Sequence, residues 1–175
     1  ESVIFPPALH IGQCEQLLSN TSISYGAQNI YNEEQGAYTG ELSAQMLTSY
    51  NCTHVLIGHS ERRTLFNESN ALLNKKCHIA FQHNLIPTFC IGESLEERQS
   101  NQTFAVLDKQ LIEGLKGITE ETLTNHRLII AYEPVWAIGT GVVASPEQAQ
   151  EAHQHIRAKL ASIFSEKTAQ TITIQ

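Results

Sequence analysis

The chain alternates two apolar patterns, and this alternation limits its fold more than any other feature. Short, nearly continuous apolar runs recur at residues 3–5, 24–27, 54–57, 87–91, 128–132 and 172–174. Strands covered on both faces read this way, whereas a strand with one wet face alternates. Between the runs the spacing turns helical. Ser43 can cap a helix burying Met46, Leu47 and Tyr50. Leu73, Cys77 and Ala80 share one helical face, as do Phe104, Leu107, Leu111 and Leu115. In the clearest helix Ser145 is the N-cap, Pro146 the first helical residue and Gln148 the partner in a capping box. Ala149, Ala152, Ile156, Leu160 and Ile163 form its apolar stripe.

Strand, helix, strand, repeated, predicts a parallel sheet with right-handed crossovers. Residues 1–175 read as a single domain, with no linker and no low-complexity segment. An open doubly wound sheet and a closed barrel both satisfy the pattern. One hint favours the barrel. Asn29, His59, Glu93 and Glu133 follow four different runs, and a barrel gathers all its strand ends around one mouth. An open sheet places its ligand at a single switch point. Apolar runs also stand at both ends of the chain. A terminal strand leaves backbone donors and acceptors unpaired, so further strands are expected on either side.

Composition removes several functions. A net charge of −7 argues against nucleic acid, whose binding rests on Lys and Arg at phosphates. No run approaches a membrane span. The four cysteines, Cys14, Cys52, Cys77 and Cys90, form no C-x-x-C pair and fit no zinc spacing. Reduced thiols in a cytoplasmic protein are the simplest reading. His153 and His155 lie two apart on a helix, so they face different sides and make a poor metal pair.

The chemistry concentrates at strand ends. In Ala131-Tyr-Glu-Pro-Val-Trp-Ala-Ile-Gly-Thr-Gly141, Glu133 stands where a strand should stop, followed by proline, tryptophan and a glycine-rich tail. That is the layout of a base on a rigid strand end beside a loop that can close; a strand-end acid in water fits equally. In Ile57-Gly-His-Ser-Glu-Arg-Arg63, Gly58 permits a sharp turn, and His59, Ser60 and Glu61 open a short helix. An imidazole there meets partial positive charge, which disfavours its protonation and suits it to donate to a carbonyl oxygen. The plainer reading makes Ser60 a cap and His59 a turn residue. Backbone N–H groups in 137–141 suit a phosphate, although the segment lacks a P-loop lysine. Trp136 also reads as a core anchor. A carboxylate base and a neutral donor imidazole together suit proton abstraction next to a carbonyl. The long polar loop 26–40 reads as solvated, or as an arm docking on a partner through Tyr31, Tyr38 and Thr39.

These segments, with Cys90-Ile-Gly-Glu93 and Gly36-Ala-Tyr-Thr-Gly-Glu41, resemble the triosephosphate isomerase family in order and spacing. The resemblance spans the chain, from about the family's second strand to its seventh. It implies an α/β fold, the TIM (β/α)₈ barrel, here incomplete, that interconverts dihydroxyacetone phosphate and glyceraldehyde 3-phosphate. It implies Glu133 as the base, His59 as the neutral electrophile and Glu61 as partner of a catalytic lysine. Pro134, Val135, Trp136, Ala137, Ile138, Gly139 and Thr140 would form the lid. The Gly139 N–H would meet the phosphate, and Glu93 would brace Trp136. The loop near Thr39 would insert into a second subunit, giving a homodimer. No metal or organic cofactor is implied.

The family's Lys-Thr-Ala hinge reads Val142-Val143-Ala144 here. Its first strand with an Asn-x-Lys pair, its serine loop, its eighth strand and its Gly-Gly phosphate turn have no counterpart in the sequence. Residues 1–175 alone are therefore expected to be inactive. Two other readings compete. One is a non-catalytic remnant acting as a dimerising interaction module, which an intact mass well above 19.5 kDa would disfavour. The other is a different phosphate-binding barrel enzyme such as a sugar-phosphate epimerase, against which the paired His59 and Glu133 motifs weigh.

Overall fold

The computed structural model describes residues 2–175. Six strands form one sheet: β1 (Ser2–Ile4), β2 (Ile23–Ala27), β3 (His54–Ile57), β4 (Ile86–Ile91), β5 (Ile129–Tyr132) and β6 (Thr173–Ile174). Their spatial order is their sequence order, and every pair is parallel. That order decides between the two architectures. A doubly wound sheet reverses direction at a switch point. Here every crossover steps the same way, so the described sheet is an arc of a (β/α) barrel with its helices on the outside.

The crossovers carry nine α-helices among the described residues: α1 (Ile11–Leu18), α2 (Ala44–Ser49), α3 (Ser60–Leu65), α4 (Asn70–Gln82), α5 (Leu95–Gln99), α6 (Thr103–Gly114), α7 (Glu120–Asn125), α8 (Pro146–Ile163) and α9 (Glu166–Thr171). Their ends follow capping chemistry. Ser145 and Gln148 form the expected capping box on α8, and Ser94 with Glu97 forms a second on α5. Asn51, Asn67, Asn84 and Asn101 each hold the left-handed position just beyond a helix, a place usually given to glycine but open to asparagine.

The core lies between the sheet and the helix layer. Val55, Ile57, Phe89, Ile91 and Ile130 on the strands meet Leu73, Cys77 and Ala80 of α4, Leu107 and Leu111 of α6, and Ile156 and Leu160 of α8, all buried. Three residues expected to be buried are not. Met46 and Tyr50 are exposed because α2 buries Ala44 and Leu47, one turn apart on the other side. Phe104, at the open end of its stripe, stays 38% exposed and stacks on His155 at 4.2 Å. The four cysteines are free thiols. Burial pushes Cys52 up to about 11 and Cys77 up to about 12, as expected of structural thiols. No helix is long and apolar enough to cross a membrane among the described residues.

Candidate active site

The site is built where β3, β4 and β5 end. After β3, Gly58 turns the chain with φ +79°, a conformation that favours glycine. The next residue, His59, is itself the N-cap of α3; Ser60 is the first helical residue. The His59 Nδ1 accepts the Glu61 backbone N–H at 3.4 Å. With Nδ1 used as an acceptor, the ring proton belongs on Nε2. The Nε2 faces Glu133 Oε1 at 2.9 Å. The other carboxylate oxygen, Glu133 Oε2, accepts the Ser60 N–H at 3.0 Å. Residues from two strand ends far apart in sequence therefore meet in one place.

The backbone of Glu133 is seated on β4. Its N–H donates to the Ile91 carbonyl at 2.8 Å. At Gly92 the approach is so close that a Cβ would lie 1.7 Å from the Glu133 carbonyl oxygen. Burial pushes the Glu133 carboxyl above its ordinary range; His59, the Ser60 N–H, Arg63 and Cys90 pull the other way and offset only part of this. A carboxylate whose proton affinity is raised by desolvation is suited to work as a base near neutral pH.

Behind it, Glu93 is fully buried. It accepts the Tyr132 hydroxyl at 3.1 Å, the Trp136 indole N–H at 2.8 Å and an Arg98 N–H at 3.0 Å. The Arg98 guanidinium also lies over the Trp136 ring, 4.9 Å from its centre. The expected Glu93–Trp136 contact is thus present, and Trp136 is at once an anchor and part of the loop. Val135–Ala137 form a 3₁₀ turn. The Thr140 hydroxyl closes back on the Trp136 carbonyl at 2.8 Å. Around Gly139 there is open space, and Val142 and Val143 are exposed.

The other candidates do not touch Glu133. The Glu61 carboxylate is exposed, 3.8 Å from His59 Nδ1, and among the described residues no lysine contacts it. Thr39 is exposed on a loop without helix or strand. The Tyr31 N–H closes the base of that loop on the Leu42 carbonyl at 2.8 Å, and Tyr31 packs on Tyr38 at 4.5 Å. Gly40, Glu41 and Leu42 line the same hollow as His59 and Glu61. Asn29 turns to the buried Lys76 ammonium at 2.7 Å, which also holds Glu68 at 2.7 Å. The Lys76–Glu68 pair was missed in the sequence. Its one signal is that Lys76 sits a turn after Leu73 on the apolar face of α4. Among the described residues no group of three metal-ligating side chains gathers.

A parallel barrel arc with a carboxylate and an imidazole in contact at the carboxyl ends of its strands has the layout of a (β/α)-barrel enzyme. A model of the family described as triosephosphate isomerase matches residues 1–175. The triosephosphate isomerase of Dictyoglomus thermophilum is 47% identical over 175 residues, covering 100% of this chain and 70% of the relative. Those of Geotalea uraniireducens and Clostridium tetani are 48% and 45% identical, with 68% of each relative covered. The chain belongs to the triosephosphate isomerase family, a family of isomerases.

Proposed function

We propose that the protein interconverts dihydroxyacetone phosphate and D-glyceraldehyde 3-phosphate by proton transfer, a step of glycolysis and gluconeogenesis. The observation that carries this reading is the 2.9 Å contact between His59 Nε2 and Glu133 Oε1. A three-carbon guest entering between them meets a base and a donor at adjacent atoms. Glu133 takes the C1 proton, and the electron pair moves through C2 onto the carbonyl oxygen. The His59 Nε2–H stabilises that enediolate oxygen as a neutral donor. The O1 proton then passes to O2, and Glu133 returns its proton to C2, leaving the aldehyde at C1. Atoms balance without a cofactor or metal.

The remaining roles follow from what each residue touches. Glu93 braces Trp136, the fixed point of a lid running from Pro134 to Thr140. The lid excludes water from the enediolate, which would otherwise lose phosphate. The Gly139 N–H serves the phosphate, and Glu61 awaits a cationic partner. The loop bearing Thr39 docks on a second subunit, giving a homodimer in the cytoplasm, and residues 1–175 act within one barrel domain. Residues 1–175 by themselves should not turn over. The reasons are that, among the described residues, no lysine meets Glu61 or His59 and no strand pairs with the outer edges of β1 and β6.

A coupled assay tests both statements. The product of the complete open reading frame is expected to interconvert the two triose phosphates, and residues 1–175 expressed alone to show no rate above background. A product of the complete frame that forms dimers yet isomerises nothing would favour the interaction-module reading. Full turnover by the 175-residue polypeptide would overturn the requirement for further groups.

A further inference from the structure

Arg63 belongs to a run of charged residues, Glu61-Arg62-Arg63, that would ordinarily face water. Its guanidinium instead turns inward, and among the described residues it makes no ion pair but three hydrogen bonds. Its Nε–H donates to the Gly58 carbonyl at 2.8 Å, one Nη to the Cys90 carbonyl at 2.9 Å, and the other to Asn70 Oδ1 at 2.6 Å. Asn70 is held in turn by Glu113 at 2.8 Å. The Phe89 ring lies beneath, 5.6 Å from the guanidinium carbon. Gly58 is the residue before His59. Cys90 precedes Ile91, whose carbonyl accepts the Glu133 N–H. Glu133 then reaches back to the Ser60 N–H in the helix that carries Arg63. The contacts close a circuit through α3, β4 and the strand end of β5.

Resting on the reading of Glu133 as base, we propose that Arg63 is a positioning residue. By forking onto the Gly58 and Cys90 carbonyls it sets the spacing between the ends of β3 and β4, and with it the His59–Glu133 distance. Burial lowers the proton affinity of this guanidinium, yet arginine remains charged in proteins. Its charge is therefore a fixed cation behind the base. The groups facing Glu133 are His59, the Ser60 N–H and Arg63 from the β3–α3 side, and the Cys90 thiol from β4. Lysine cannot replace the fork, because one ammonium cannot hold two carbonyls and an amide in a plane.

Two variants of the product of the complete open reading frame test this, with rates normalised to folded protein by circular dichroism. Arg63→Lys keeps the charge and loses the fork. Its kcat should fall about 10- to 100-fold, as expected for misplacement near 1 Å, with KM changed less than about twofold. Arg63→Met loses both. It should show the same fall, and the acid limb of its kcat/KM profile should move to higher pH, because a cation that favours ionised Glu133 is gone. The ¹⁵N and proton resonances of His59 give a reading independent of turnover. The Nε2–H signal held by Glu133 should broaden or shift in Arg63→Lys. Lower melting temperatures with unchanged kcat, unchanged limb and an unshifted His59 signal would reduce Arg63 to a structural residue and overturn the proposal. Glu133→Gln is run beside them. If it keeps wild-type kcat, the base assignment fails and this proposal falls with it; if it abolishes turnover while the Arg63 variants behave as wild type, only this proposal fails.

Discussion

Replacing Glu133 by glutamine in the product of the complete open reading frame is expected to lower kcat by about 10²- to 10⁴-fold, the range of a lost general base. KM should move little. Glutamine keeps the volume and one oxygen, so it can still accept the Ser60 N–H, which now runs to Oε2 at 3.0 Å. What it cannot do is take a proton. The fold should be unaffected, because Glu133 is only partly buried and its backbone N–H bond to Ile91 is untouched. The raised proton affinity of Glu133 gives the wild-type profile its sign. On the proposed mechanism activity needs the ionised carboxylate, so kcat/KM should fall as pH drops through a value above that of an ordinary glutamate. Stopped assays across pH read both effects. A variant within about tenfold of wild type would mean that another group removes the proton.

Gly92→Ala is expected to damage the same step without touching a reacting group. The added Cβ would lie 1.7 Å from the Glu133 carbonyl oxygen and 2.7 Å from its carbon. Neither side yields easily. Gly92 is clamped by Gln110, which accepts its N–H at 2.8 Å and donates to its carbonyl at 3.0 Å. Glu133 is tied to Ile91 and Ser60. Relief therefore requires the Glu133 backbone to move by more than about 1 Å, a displacement that costs on the order of 10²-fold in rate. Overpacking of this kind also lowers stability by about 1–3 kcal/mol. Steady-state kinetics and urea denaturation on one preparation separate the two losses. Wild-type kcat in the alanine variant would show that the strand ends adjust independently of the base.

The elements were legible because their signals are local. The run at 54–57 is β3 as the structure has it, and the others agree within a residue or two. The capping box at Ser145 and Gln148 is a matter of four consecutive residues. The order of the strands was not legible, since periodicity is the same for a wound sheet and a barrel. Glu133 and His59 were each visible as polar residues at strand ends, but their convergence depended on the sheet bringing β3 and β5 ends around β4. Family likeness supplied that expectation, and a 2.9 Å distance supplies the geometry. Lys76 and Arg63 were hidden for one reason. A cation reads as a solvated surface group unless its partners are known, and theirs lie on other elements. Met46 on α2 and Tyr50 at its C-cap erred the opposite way, because the buried side of this six-residue helix holds only Ala44 and Leu47.

A crystal structure of the product of the complete open reading frame, with an unreactive triose phosphate analogue bound, would bear most directly on the whole scheme. The expected result is a single guest with His59 Nε2 about 3 Å from its carbonyl oxygen and a Glu133 oxygen about 3–3.5 Å from the neighbouring carbon. An analogue bound with those two side chains directed into separate cavities, or bound without contact to either, would contradict it.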